Sequence, residues 1–260
     1  MDDFVEKAVE RVIRSMQDNL GDSITIDDMA RTAMFSKFHF SRMFQRVTGI
    51  SPGRFLSALR LQEAKRLLLA ESLTVADISY LVGYNSIGTF SSRFRMSVGV
   101  SPTTYRQHAG YVPPLDEFRP RWTGHHERSS VRGYLHHHAT YQPGHIVIGL
   151  FPDRIAQGEP VDHTTLDSAG EFALNQVPTG TWHVLAHSVE VGSGEPTAAY
   201  VAAFGPISVT AGPAMRPIDM WLRPRRIFDP PTLLAQLDRS MWSAQARVPG
   251  RADEAALPGA

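Results

Sequence analysis

The chain has 260 residues, 26 basic against 26 acidic, 42% hydrophobic content and no cysteine. Without cysteine there are no disulfides, thiolate zinc sites or cysteine nucleophiles, and no repair chemistry that accepts an alkyl group on sulfur. The length exceeds the roughly 100–200 residues of one domain, so two cores are expected. The zero net charge hides a split, with 14 basic and 11 acidic residues in 1–110 against 3 and 8 in 129–222. No apolar run nears the roughly 20 residues of a membrane span, and MDDFVEKAVERV has no signal-peptide core, so a cytoplasmic location away from the membrane is expected.

The first predicted element is a helix over 3–19, with Phe4, Ala8, Val12, Met16 and Leu20 on one face. Thr25 followed by Asp28 is a capping-box start for a short helix that turns Ile26, Met29, Ala30 and Ala33 inward. A tight turn at Met34 and Phe35 leads to a second helix. Ser36 caps it, Phe40, Phe44 and Val47 are its core side, and Gly49 ends it. Its opposite face carries Phe38, Ser41, Arg42 and Gln45 in one stripe, flanked by Lys37 and Arg46. The next stretch, PGRFLSALRLQEAKRLLLAES, reads as a connector helix. At 1.5 Å per residue it would run about 27 Å, suited to holding two helices near one turn of DNA apart.

The pattern then repeats. FSRMFQRVTGISPGRF at 40–55 returns as FSSRFRMSVGVSPTTY at 90–105, and TIDDMARTAMF at 25–35 resembles TVADISYLVGY at 74–84. Thr74, Asp77, Gly83, Ser86 and Gly99 take the capping and turn roles, and Phe90, Phe94 and Val98 the core side. The second stripe is Gly88, Ser91, Ser92 and Arg95. On a lone helix a polar stripe is a solvated face. Two helix-turn-helix copies in matching context instead point to DNA, because Arg and Gln pair bidentately with base edges in the major groove. Gly49, Ser51 and Gly53 spell G-x-S-x-G, but a nucleophile elbow needs a strand before the serine, and a helix precedes it here. Ser51 reads as a helix cap.

Residues 5–108, including ISYLVGYNSIGTFSSRFRMSVGVSPTTYR, resemble the AraC/XylS-type DNA-binding domain. That resemblance implies two homeodomain-like helix-turn-helix units whose second helices enter successive major grooves. By position it implicates Phe38, Ser41, Arg42 and Gln45, then Ile87, Gly88, Ser91, Ser92 and Arg95. The family often carries arginine where this chain has Ser92.

Residues 109–128 read as a Pro- and Gly-rich linker. Short β-rich runs follow, near 130–137, 145–151, 162–166, 170–175, 181–190, 205–210 and 215–223, which suggest an all-β sandwich over 129–223. TTLDSAGEFALNQVPTGTWHVLAHS resembles the hairpin of carboxypeptidase regulatory-like, or transthyretin-like, sandwiches, which implies a binding or scaffolding role. Nine of the eleven histidines lie in 125–187. On strands, His136 with His138 and His183 with His187 would share faces, a weak candidate metal arrangement beside the plainer reading of exposed polar filler. Residues 224–260 read as a tail with a short helix over 232–241 and a disordered end.

The sequence therefore predicts a multi-domain, non-enzymatic, sequence-specific DNA-binding transcription regulator that needs no cofactor. Its expected partners are double-stranded DNA and the transcription machinery, with a small-molecule effector and a second copy as candidates at the sandwich. The competing reading is a ligand- or metal-binding sensor whose DNA contact is vestigial.

Overall fold

The computed structural model describes residues 2–70, 72–110, 128–141, 143–189, 199–210 and 215–235. The first part is all helical: α1 (Asp2–Asp18), α2 (Ile26–Ala33), α3 (Lys37–Thr48), α4 (Pro52–Ala70), α5 (Val75–Leu81), α6 (Ile87–Val98) and α7 (Pro102–Gln107). Both capping boxes form. The Thr25 hydroxyl accepts from Asp28 N–H at 3.2 Å while the Asp28 carboxylate accepts from Thr25 N–H at 2.9 Å. Thr74 and Asp77 repeat the exchange at 3.1 and 3.2 Å. Each satisfies two amides at a helix start that would otherwise be unpaired.

The turns carry the conformational cost. Met34 adopts the left-handed region at φ 62°, and Gly83 does so at φ 80° in the second copy. A Cβ at Gly83 would also lie 2.5 Å from the Leu20 carbonyl oxygen, so that position needs glycine twice over. Gly49 and Gly99 close α3 and α6 in left-handed conformation, donating to Gln45 and Arg95 carbonyls. Ser86 caps α6 through Thr89 N–H, but Ser36 holds the cap position without a side-chain bond, contrary to expectation.

Phe40, Phe44, Phe90, Phe94 and Val98 are fully buried, as the repeat predicts. Phe4 is not; it is 63% exposed with its ring edge-on to Phe35. α1 packs on α2 and α3 together, so its buried face is the wider set Val5, Ala8, Val9, Val12, Ile13 and Met16.

The second part holds β1 (Arg128–His137), β2 (Ile146–Phe151), β3 (His163–Leu166), β4 (Glu171–Pro178), β5 (Gly180–Val189), β6 (Ala199–Val209) and β7 (Ile218–Pro224). These sit close to the expected runs, with β6 starting earlier. The strands pair in one seven-stranded order, β3-β2-β5-β6-β7-β1-β4. β1 and β7 pair in parallel, and β6 meets β7 at a short seam, Tyr200 to Pro224 and Val201 to Arg223. β3 pairs only with β2 and β4 only with β1, although the two sheet ends pack against each other, so the sheet nearly closes on itself.

The linker residues 111–127 and the last part of the tail, 236–260, lie outside the described residues. The tail's beginning is not loose. Thr232 to Leu234 belong to no helix or strand, and Leu233, Leu234 and Ala235 are fully buried. The amides of Leu233 and Leu234 both donate to the Ala156 carbonyl, at 2.9 and 3.0 Å. Leu233, Ala235 and Ile155 join the helical core, while Leu234 joins Val147, Phe151, Ala156 and Leu185 on the β-domain. This strap and the β2–β3 segment join the two domains. Lys65, 6% exposed, donates from Nζ to the Leu233 carbonyl at 3.0 Å, and Gly158 N–H donates to the Ser97 carbonyl at 2.8 Å.

Candidate nucleic-acid interface

The two polar stripes face solvent. In α3, Lys37, Phe38, Arg42, Gln45 and Arg46 are exposed and Ser41 is half-buried. Phe38 is 85% exposed, which burial-driven packing does not explain. The Ser41 hydroxyl donates to the Lys37 carbonyl at 2.9 Å, and Lys37 pairs with Asp27 at 3.1 Å. In α6, Ile87, Gly88, Ser92 and Arg95 are exposed and Ser91 is half-buried. A Cβ at Gly88 would meet only Ser86 Oγ at 3.8 Å, so packing does not demand glycine there.

Most of the domain's other cations are committed. Arg14 binds Glu10, Arg31 binds Asp28, Arg66 binds Glu63, and Arg60 donates to the carbonyls of Leu20 and Asp22. Arg42, Arg93 and Arg95 make no hydrogen bond or ion pair among the described residues. They are exposed guanidiniums held by helices α3 and α6, with no carboxylate partner among the described residues.

Arg93 lies beside the stripe assigned to α6 and is exposed. The repeat sets it apart. Fifty places earlier stands Met43, which is buried against the helical core, whereas Arg93 is exposed. α1 packs on α3, but its counterpart α4 stands off α6 and leaves an open cleft beside Arg93. The β2–β3 segment reaches that side. Arg54 pairs with Asp153, and the Ser97 hydroxyl lies 3.2 Å from Gln157 Oε1.

The histidine pairs do not come together as a metal site. His136 bonds Asp219 at 2.8 Å and stacks on Trp221 with centroids 4.6 Å apart, while His138 lies past the end of β1 and bonds Thr140. His183 and His187 are four residues apart on β5, about 13 Å along a strand and too far for one ion. His187 is half-buried beneath the strap, with its Nε2 enclosed. Its Nδ1 lies 3.1 Å from the Thr232 hydroxyl and its Nε2 has no partner. Burial, and then the nearby Arg225, push its pKa down to about 4. Burial and Arg154 also lower the pKa of His183. Among the described residues no group of three or more His, Asp or Glu could hold a metal, and no helix is long and apolar enough to cross a membrane.

A sequence-family model described as a helix-turn-helix domain matches residues 29–108. The chain is 28% identical over 103 residues to the HTH-type transcriptional activator AarP of Providencia stuartii, covering 40% of this chain and 76% of that one. It is 30% identical over 105 residues to the TetD protein of transposon Tn10 from Escherichia coli, again covering 40% and 76%. A solved structure of a probable AraC family transcriptional regulator from Rhodopseudomonas palustris is 30% identical, with 40% of this chain and 97% of that one covered and a TM-score of 0.37. The β-domain lies outside the matched residues 29–108.

Proposed function

The chain belongs, through its N-terminal domain, to the AraC family of helix-turn-helix transcription regulators, and on that premise we propose that it binds specific DNA sequences with α3 and α6 in successive major grooves. Regulation of transcription through an AraC-type DNA-binding domain is common ground with these relatives. The finer assignment rests on one observation: unpaired, exposed guanidiniums and a glutamine on the second helix of both copies, Arg42 and Gln45 on α3 and Arg95 on α6. Such side chains read guanine and adenine edges bidentately, while Lys37 and Arg46 flank the stripe for phosphate contacts. Phe38 and Ile87, at the start of each helix, would make apolar contacts, and Ser41, Ser91 and Ser92 would give short hydroxyl contacts. Gly88 lets the duplex approach the α6 backbone, a use that fits its freedom from packing.

The β-domain serves as a ligand-binding or self-association module that modulates the DNA reader. Its acidic charge makes it a poor DNA partner, and its strap is packed into the helical core. Footprinting of genomic fragments with the purified chain would supply the operator, and affinity across every single-base variant would then map the readers. Two protected segments one helical turn apart are expected. A single protected segment, or no sequence preference above the bulk of genomic DNA, would sink the two-reader assignment.

A further inference from the structure

Between α4, α6 and the β-domain lies an open cleft of about 1010 Å³, at the upper end of small-molecule sites. Arg54 and Ser57 come from α4, Arg93 from α6, and Ile155 and Leu233 close the far side. We propose that this cleft binds a small organic anion, a carboxylate or phosphate ester with a short apolar body, and that its occupancy opposes DNA binding.

Several independent features of the cleft select that chemistry. Arg93 lines it with no hydrogen-bond or ion-pair partner among the described residues. Arg54 already holds one carboxylate, that of Asp153, which shows what its guanidinium accepts there. The cleft lining itself includes no acidic side chain. The start of α4 opens into it through Ser51 and Gly53, and that helix has no acidic residue in its first turn to offset its dipole. Arg93 also lines an adjoining pocket of about 240 Å³ with Tyr84, whose buried hydroxyl is unpaired. Met96 and Pro152, both exposed, supply apolar surface that a bare inorganic ion would leave unused.

The position determines the consequence. Gly88 and Ser92 line the mouth of the cleft and also lie on the α6 stripe assigned to DNA. An anion held between Arg54 and Arg93 therefore occupies space, and neutralises charge, that the duplex would use. The anion site stands on the cleft alone; only its effect on DNA rests on the reading proposed above.

Calorimetry on the full chain without DNA tests the site, with phenyl phosphate as probe and inorganic phosphate and chloride at matched ionic strength beside it. Saturable binding of phenyl phosphate is expected, tighter than that of inorganic phosphate. Arg93→Gln should weaken it at least tenfold, and Arg14→Gln on α1 should leave it alone. Heat no greater than with chloride, or binding that survives Arg93→Gln, overturns the site. Equal affinity for inorganic phosphate overturns the apolar body. In a second arm, saturating phenyl phosphate should lower the fraction of operator bound at fixed ionic strength, and unchanged DNA binding overturns the opposition. If the chain bound no DNA at all, the first arm would still decide the site.

Discussion

The imidazole of His187 should make the union of strap and β-sheet acid-sensitive. It is half-buried, its enclosed Nε2 has no partner among the described residues, and its pKa is pushed down to about 4 from an ordinary 6.5. The folded chain therefore keeps this imidazole neutral where the unfolded chain protonates it. Stability is intact above pH 6.5, falls as pH drops below that value, and stops falling once the folded form titrates near 4. At about 1.36 kcal/mol per unit, the loss comes to about 2 kcal/mol at pH 5 and about 3 kcal/mol near pH 4. The charges facing this site work against each other, since Arg225 lowers the pKa and Asp229 raises it. Urea unfolding followed by tryptophan fluorescence suits the measurement, because Trp182 on β5 and Trp221 on β7 report the β-domain. His187→Leu should remove most of the slope between pH 7 and 5. A smaller slope should remain, because the pKa of His183 is lowered as well. The argument fails if parent and variant lose stability in parallel over that range.

Four further outcomes follow from the same geometry. Leu233→Ala, which empties a fully buried position between the domains, should cost about 2–5 kcal/mol, read from helical circular dichroism during urea unfolding. Arg42→Ala should relax base preference at one operator position by about 1–3 kcal/mol, whereas Ser92→Ala should change little; the opposite order in a single-base-variant scan would mean the reading faces are misassigned. Gly88→Ala, at the second residue of α6, should raise thermal stability by less than the roughly 0.5–1 kcal/mol of a helix-interior site, yet lower operator affinity. A fragment of residues 1–122 should still bind the operator with steep salt dependence, by about 10³-fold between about 50 and 200 mM for six phosphate contacts. It should also melt below the full chain, because Ile155, Leu233 and Ala235 no longer fill its core.

The helical half was legible because its rules are local. A capping box is decided within four residues, and a buried stripe within two turns, so Thr25, Asp28, Phe40 and Phe44 announce themselves. The strands were legible one by one for the same reason, but their pairing was not. Nothing near His163 or Glu171 says that β3 and β4 belong to opposite ends of one sheet. The parallel union of β1 with β7 joins residues more than eighty places apart. Sharing a side of a strand does not by itself bring two histidine rings within reach of one ion.

The divergence between the repeats was the most informative signal, and it lay in a core position rather than on the DNA-facing stripe. Related copies keep an apolar residue where both are covered. Where Met43 in one copy becomes Arg93 in the other, the second copy cannot be covered in the same way, since an unpaired guanidinium does not belong in an apolar contact. The structure shows the consequence: α1 closes over α3, α4 leaves α6 open, and the β-domain reaches that side through Ile155 and Leu233 without filling it. A cleft between the reader and the accessory domain is thus already implied by one arginine out of register with its repeat.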